Sequence, residues 1–152
     1  EASEHTGPLI IWRKELRPDS GGAGKRCGGL GQYVEVGSTE GHEFDFQGML
    51  DRVNHPARGR RGGGPGAPTT ISLDDGTPMR GKGKQFVPHG RIVRIALPGG
   101  AGYGNPKERD PDLVKRDLAR GYISSTTAKD DYGLTDAAIV EVEEAVKKGE
   151  TL

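Results

Sequence analysis

The sequence predicts an α+β fold that is predominantly β, with short strands, long glycine-rich loops and short helices at its C-terminal end. Three observations predict it. Glycine and proline number 26 and 10 in 152 residues, and glycine is concentrated in residues 16–31 (LRPDSGGAGKRCGGLG), 58–66 (RGRRGGGPG) and 98–104 (PGGAGYG). Stretches so rich in glycine form neither helices nor central strands without a large entropic cost, so they are loops with positive φ or a close approach to other backbone. Apolar residues before Gly104 recur mostly with the period of a strand. After Gly104 the pattern turns helical, with a cap and a stop for each segment. Strands first and helices last give the fold class.

Each element follows from its own residues. The run 8–17 (PLIIWRKELR) is too irregular for an amphipathic helix, and its β-branched pair with Trp12 favours a strand buried near its start. Tyr33, Val34 and Val36 mark a second strand over 32–37. Residues 42–51 alternate best: Phe44, Phe46 and Leu50 share one face and Glu43, Asp45 and Gln47 the other. His42 is in phase with the phenylalanines and reads as a ring packed at the strand end. Residues 54–68 are irregular. A strand at 69–73 closes on an Asp74-Asp75-Gly76 turn, and residues 84–87 and 91–97 read as a pair of strands separated by Pro88-His89-Gly90. Asp110 followed by Pro111 starts a helix that stops at Gly121. A second helix is expected over 125–131. A third is capped by Thr135, carries Ile139, Val142 and Val146 on one stripe, and ends at Gly149.

The length suits a single domain over 1–152, strand-rich over 8–104 with a helical tail over 105–152. Hydrophobic residues are 32% and mean hydropathy is −0.68, so the core is small. One cysteine allows no internal disulfide and suits a reducing, cytoplasmic setting. No run reaches the length of a membrane span. The N-terminus has neither a signal-peptide pattern nor an initiating methionine, which reads as a processed piece or a fragment of a longer chain. Net charge is zero, yet residues 52–107 hold ten Lys/Arg against two Asp/Glu, while both flanks are acidic. Either the flanks neutralise the middle or the middle meets an anionic partner.

Several motifs fail on inspection. Asp19-Ser20-Gly21-Gly22 looks like a protease nucleophile loop, but only 19 residues precede the serine, too few for the histidine and aspartate it needs. GGAGKR approaches a phosphate-binding P-loop, but Asp19 replaces its first glycine and Arg26 its Ser/Thr. His5, His42, His55, His89 and Cys27 lack metal-ligand spacing, so no metal site is expected. Residues 58–64 resemble an arginine-glycine RNA-binding stretch, but without interleaved aromatics, and nucleic acid is disfavoured.

In order and spacing, four blocks resemble the C-terminal portion of the hydantoinase B/oxoprolinase family: LRPDSGGAGKRCGGLGQ, DRVNHPARGRRGGGPGAP, LPGGAGYGNPKERDPDLVKRDLARGYIS and AKDDYGL. The first block matches at Arg17, Asp19, Ser20, Gly21 to Lys25, Gly28 and Gly29. The second matches at Asp51, Arg52, Gly62, Gly63 and Gly66. The third matches at Pro98 to Gly100, Gly102 to Gly104, Pro106, Arg109 to Pro111, Asp117 and Gly121, and the last at Tyr132 and Gly133. Cys27 stands near a usual arginine with Arg26 displaced by one, Ala101 interrupts the third glycine run, and Arg58, Arg60 and Arg61 add basic charge. The resemblance implies a structural and interface piece of a B-type subunit in an ATP-dependent cyclic-amide hydrolase of the N-methylhydantoinase or 5-oxoprolinase type. The amide is phosphorylated by an ATP-binding partner of the A type, so the expected partners are that A-type subunit, the missing N-terminal portion of the B-type chain and a small cyclic amide. ATP and a divalent metal are implied for the complete enzyme and none for this chain, which is expected to be inactive alone and to carry no catalytic residue. A non-catalytic module binding an anion or RNA, and a component of a related ATP-dependent ketone carboxylase, are the alternatives.

The candidate binding residues are Asp19, Ser20, Gly21, Gly24, Lys25, Arg26, Tyr103 and Arg109. Two readings stay open for them. Converging backbone N–H groups with Lys25 and Arg26 could hold an anion, or the glycines permit tight turns and close packing of polypeptide. Tyr103 either plugs an interface or meets a ligand, and Arg109 has Asp110 and Asp112 as nearby partners in sequence.

Overall fold

The structure, a computed structural model, describes residues 7–149. Its strands are β1 (Leu9–Leu16), β2 (Gln32–Ser38), β3 (Phe44–Met49), β4 (Thr70–Leu73), β5 (Lys82–Val87) and β6 (Val93–Ala96). Its helices are α1 (Pro111–Ala119), α2 (Ser125–Asp130) and α3 (Asp136–Lys148). Two antiparallel sheets form, one of order β1-β2-β6-β4 and one of β3 with β5. The fold is α+β, as the sequence predicts.

The alternation in β3 works as expected. Phe44 and Phe46 face inward with Leu50, Met79 and Ile95 against Ile71, Leu73, Val87 and Val93. Val87 and Val93 are fully buried, and burying such a side chain stabilises by about 1.5–3 kcal/mol. They also show how the two strands expected on either side of Pro88-His89-Gly90 are placed. Residues 84–87 and 91–97 hold successive strands, but β5 pairs with β3, whereas β6 pairs with β2 and β4. The Pro88-His89-Gly90 link therefore carries the chain from one sheet to the other, and the two valines meet between the sheets.

β1 is half-buried over Leu9, Ile10 and Ile11, and a register shift between Ile11 and Arg13 leaves Trp12 59% exposed rather than packed. His42 follows a short 3₁₀ turn and is exposed, not packed in phase with the phenylalanines. His5 lies outside the described residues.

The helical tail keeps its predicted caps. Asp110 accepts from the Asp112 N–H, Ser124 from Thr127 and Thr135 from Ala138, each cap contributing about 1 kcal/mol. Gly149 ends α3 in the left-handed conformation, φ 74°. The buried stripe of α3 is Ile139, Val142 and Ala145; Val146, expected there, is 47% exposed. A second apolar cluster, Val114, Ala128, Leu134 and Ile139, joins the three helices. Among the described residues no helix is long and apolar enough to cross a membrane.

Candidate functional site: three interlocked glycine loops

The three glycine stretches meet one another. Gly22 N–H donates to Gly100 O at 2.8 Å, Gly100 N–H to Gly29 O at 2.8 Å, Gly64 N–H to Ala23 O at 2.7 Å and Gly102 N–H to Gly64 O at 2.9 Å. Tyr103 is the centre rung. Its N–H and C=O exchange hydrogen bonds with Arg26 at 2.9 and 3.0 Å, and it bridges Arg60 on its other side. The loops thus form a clasp held by backbone hydrogen bonds.

Only glycine allows this spacing. A Cβ on Gly24 would lie 2.6 Å from Tyr103 N and 2.8 Å from Arg26 O, and one on Gly22 would lie 2.6 Å from Gly102 N. On Gly28, Gly99 or Gly102 it would overlap neighbouring carbonyl groups outright. Positive φ is a minor theme: within these stretches it occurs at Gly62 and Gly104 among the glycines, and at Asp19 and Arg61. Close approach is what the glycines supply.

The expected binding residues come together as parts of this clasp. Ser20 is 1% exposed; its hydroxyl donates to Arg17 O at 2.6 Å and accepts from Gly31 N–H at 2.8 Å. Asp19, at φ 56°, ties the clasp to the helices, its N–H donating to Tyr122 O and its carboxylate accepting from Ser124 N–H at 2.9 Å. A Cβ on Gly21 would overlap Gly28 O, and Gly24 is buried against Tyr103. Lys25 reaches Glu108 at 3.3 Å with both side chains largely exposed, a pair of little net worth. Arg26 is exposed, and Tyr103 is 45% exposed with the Arg61 guanidinium 5.8 Å from its ring centre.

Arg109 takes a different partner from those its neighbourhood suggested. Its guanidinium meets Asp117 at 2.6 Å, with the two side chains 7% and 11% exposed. Asp110 is instead occupied as the α1 cap. Asp117 is a site residue absent from the sequence-based candidates, although a charged residue in phase with Leu113 and Val114 on an apolar helix stripe was the signal. Tyr132 was likewise outside the candidates. Its ring lies 5.9 Å from the Arg109 guanidinium. Burial holds its phenol above the ordinary tyrosine range, nearby Cys27 and Asp117 add to that, and Arg109 and the Gly24 backbone oppose it.

The charge asymmetry resolves in two ways. Lys82 pairs with Asp51, Lys84 with Asp45 and Arg94 with Glu35, so acids from the N-terminal third neutralise much of the basic middle. Arg58, Arg60 and Arg61 remain exposed and form no ion pair among the described residues. No group of three or more His, Cys, Asp or Glu side chains among those residues is placed to hold a metal. The P-loop-like run does not fit a nucleotide phosphate either. The N–H groups of Gly22 and Gly28 are taken up by Gly100 O and Gly22 O, and Lys25 lies against Glu108.

Comparison with known proteins gives a consistent picture. The chain is 35% identical over 155 residues to an uncharacterised protein of Methanocaldococcus jannaschii, covering 97% of this chain and 27% of that one. It is 30% identical to the putative B subunit of a D-/L-hydantoinase from a Pseudomonas strain, covering 84% and 22%. With the beta subunit of caprolactamase from Pseudomonas jessenii it shares 28%, covering 95% and 26%. The chain therefore spans about a quarter of the length of these relatives. Its fold is shared with the crystal structure of an ATP-dependent caprolactamase from Pseudomonas jessenii (TM-score 0.70, 24% identity, 97% of this chain and 27% of that one). It is also shared with nucleotide-free acetone carboxylase (TM-score 0.63, 18% identity, 93% and 25%). The profile of the hydantoinase B/oxoprolinase family matches residues 1–106, and the chain belongs to that family.

Proposed function

We propose that this chain is the structural and interface part of a B-type subunit in an ATP-dependent enzyme that opens cyclic amides. The observation that carries the reading is the clasp. Its glycines bring backbone against backbone with no side chains between, which builds a rigid surface rather than a reactive pocket. Ser20, the hydroxyl nucleophile its sequence suggests, is fully engaged with Arg17 O and Gly31 N–H. The hydantoinase and caprolactamase relatives, each named as one subunit of its enzyme, support the substrate class and a hetero-oligomer. In this reading an ATP-binding A-type partner phosphorylates the amide oxygen, and the metal belongs to the remainder of the B-type chain. The chain alone is inactive, and a cytoplasmic setting goes with the need for ATP.

The test is reconstitution. The chain is joined to the remainder of a B-type subunit, combined with its A-type partner, and assayed with ATP on caprolactam, hydantoin and 5-oxoproline. ATP-dependent ring opening of one of them supports the reading, and ring opening of none of them by the folded assembly defeats it. The fold shared with acetone carboxylase favours a second reading, a component of an ATP-dependent ketone carboxylase. ATP-dependent incorporation of labelled bicarbonate into acetone by the same assembly would select it.

A further inference from the structure

The clasp and the helical tail flank a half-open cavity of about 340 Å³ lined in part by Leu16, Leu30, Ile123, Tyr132, Arg109 and Arg116, within the size range of small-molecule sites. Its charge is unbalanced. Asp117 answers Arg109 at 2.6 Å and is 3.7 Å from Arg116, so two guanidinium groups share one carboxylate. The Nε–H donors of both arginines are buried without an acceptor. Those two atoms are themselves closed to solvent, so what the cavity offers an anion is the net positive charge of two guanidinium groups against one carboxylate. The Arg109 side chain is more than nine-tenths buried and lines this cavity as well as the adjoining one beside Lys25 and Glu108. The remaining wall is mostly apolar or backbone.

We propose that this cavity binds a small monocarboxylate whose apolar body lies on Leu16, Leu30 and Ile123 and whose charge meets Arg109 and Arg116. One negative charge balances the surplus guanidinium, where a phosphate dianion overshoots it. The apolar wall selects against a fully hydrated anion, which would lose its water there without replacement contacts. The inference does not depend on the hydrolase reading, because it uses only residues of this chain.

Cys27 supplies the readout. It is the sole cysteine, is exposed and lines this same cavity. Its labelling by a thiol reagent is followed with sodium hexanoate, hexylamine or inorganic phosphate as probe. Backbone amide NMR shifts of residues 27–30 and 132 are recorded in parallel. Hexanoate is expected to slow labelling saturably, by about tenfold at concentrations in the millimolar range, and to move those amides, while hexylamine and phosphate do neither. Arg116→Gln removes one charge-assisted donor from a half-exposed side chain; it gives up the 3.7 Å contact with Asp117 and keeps the 2.6 Å Arg109–Asp117 pair. It is expected to weaken hexanoate about tenfold and to leave the urea midpoint unchanged. Protection by hexylamine equal to that by hexanoate would show mere apolar filling, and protection by phosphate would show a generic cation patch. Either result, or no saturable effect of hexanoate on a folded protein, overturns the proposal.

Discussion

Gly24→Ala is the sharpest perturbation of the clasp. The added Cβ would sit 2.6 Å from Tyr103 N, 2.8 Å from Arg26 O and 2.9 Å from Tyr103 O, all backbone atoms, where ordinary contact begins at 3.4 Å. The third loop must therefore retreat by about 0.8 Å from the first, a forced overpacking that costs about 1–3 kcal/mol. That retreat stretches both hydrogen bonds between Arg26 and Tyr103, each contributing about 1 kcal/mol. Removing glycine from the unfolded chain returns about 0.4–1 kcal/mol. The net expectation is a loss of about 2–4 kcal/mol, a large part of the stability of a domain this size. Gly29→Ala is the internal control. It lies five residues on in the same loop, outside the positive-φ glycines, and a Cβ there meets nothing within 4 Å. It should be neutral or stabilising by up to about 1 kcal/mol. Urea unfolding of both variants, followed by circular dichroism, reads the difference. If the two midpoints shift by the same amount, close backbone approach is not what the glycines provide.

The remaining predictions concern single tethers. Asp19→Ala removes the acceptor for Ser124 N–H and places alanine at φ 56°, so it should cost about 1–3 kcal/mol in urea unfolding, whereas Asp19→Asn should cost less than about half of that. Ser20→Ala leaves the buried Gly31 N–H without its acceptor, with an expected loss of about 1–3 kcal/mol; in the reconstituted enzyme it should leave turnover intact wherever the protein stays folded. Arg109→Met removes the nearer partner of the buried Asp117 carboxylate and leaves it Arg116 at 3.7 Å, so it should destabilise by about 3 kcal/mol, the low end for breaking a buried pair. Because Tyr132 holds its proton more tightly folded than unfolded, its contribution is complete below the unfolded value, about pH 10. It is lost as pH rises through the folded value. Tyr132→Phe should flatten the fall in stability above about pH 10 seen in pH-dependent unfolding.

The sequence made the helices and their ends legible because caps act locally. Asp110-Pro111, Thr135 and the stops at Gly121 and Gly149 each fix a turn through neighbouring residues alone. The alternation of β3 was legible for the same reason. Strand partners were not: β5 and β6 adjoin in sequence yet belong to different sheets, and that choice depends on where Val87 and Val93 bury. In the site, glycine density announced positive φ or close backbone approach, but which of the two applies, and which loop approaches which, is a matter of tertiary topology. Arg109 looked to Asp110 and Asp112 in sequence, whereas the next turn of α1 put Asp117 on its buried side. Tyr132 reaches the same site from beyond α2, a distance no local pattern spans.

Amide hydrogen exchange over the three loops tests the central claim most directly. Long glycine loops ordinarily exchange fast through local opening. Here the N–H groups of Gly22, Gly64, Gly100, Gly102 and Tyr103 each donate to a carbonyl on another loop, and opening one requires parting the clasp. They should be protected to nearly the same free energy as amides of the central strands β2 and β6. Exchange at the rate of an unstructured peptide, with β2 and β6 still protected, would contradict the account.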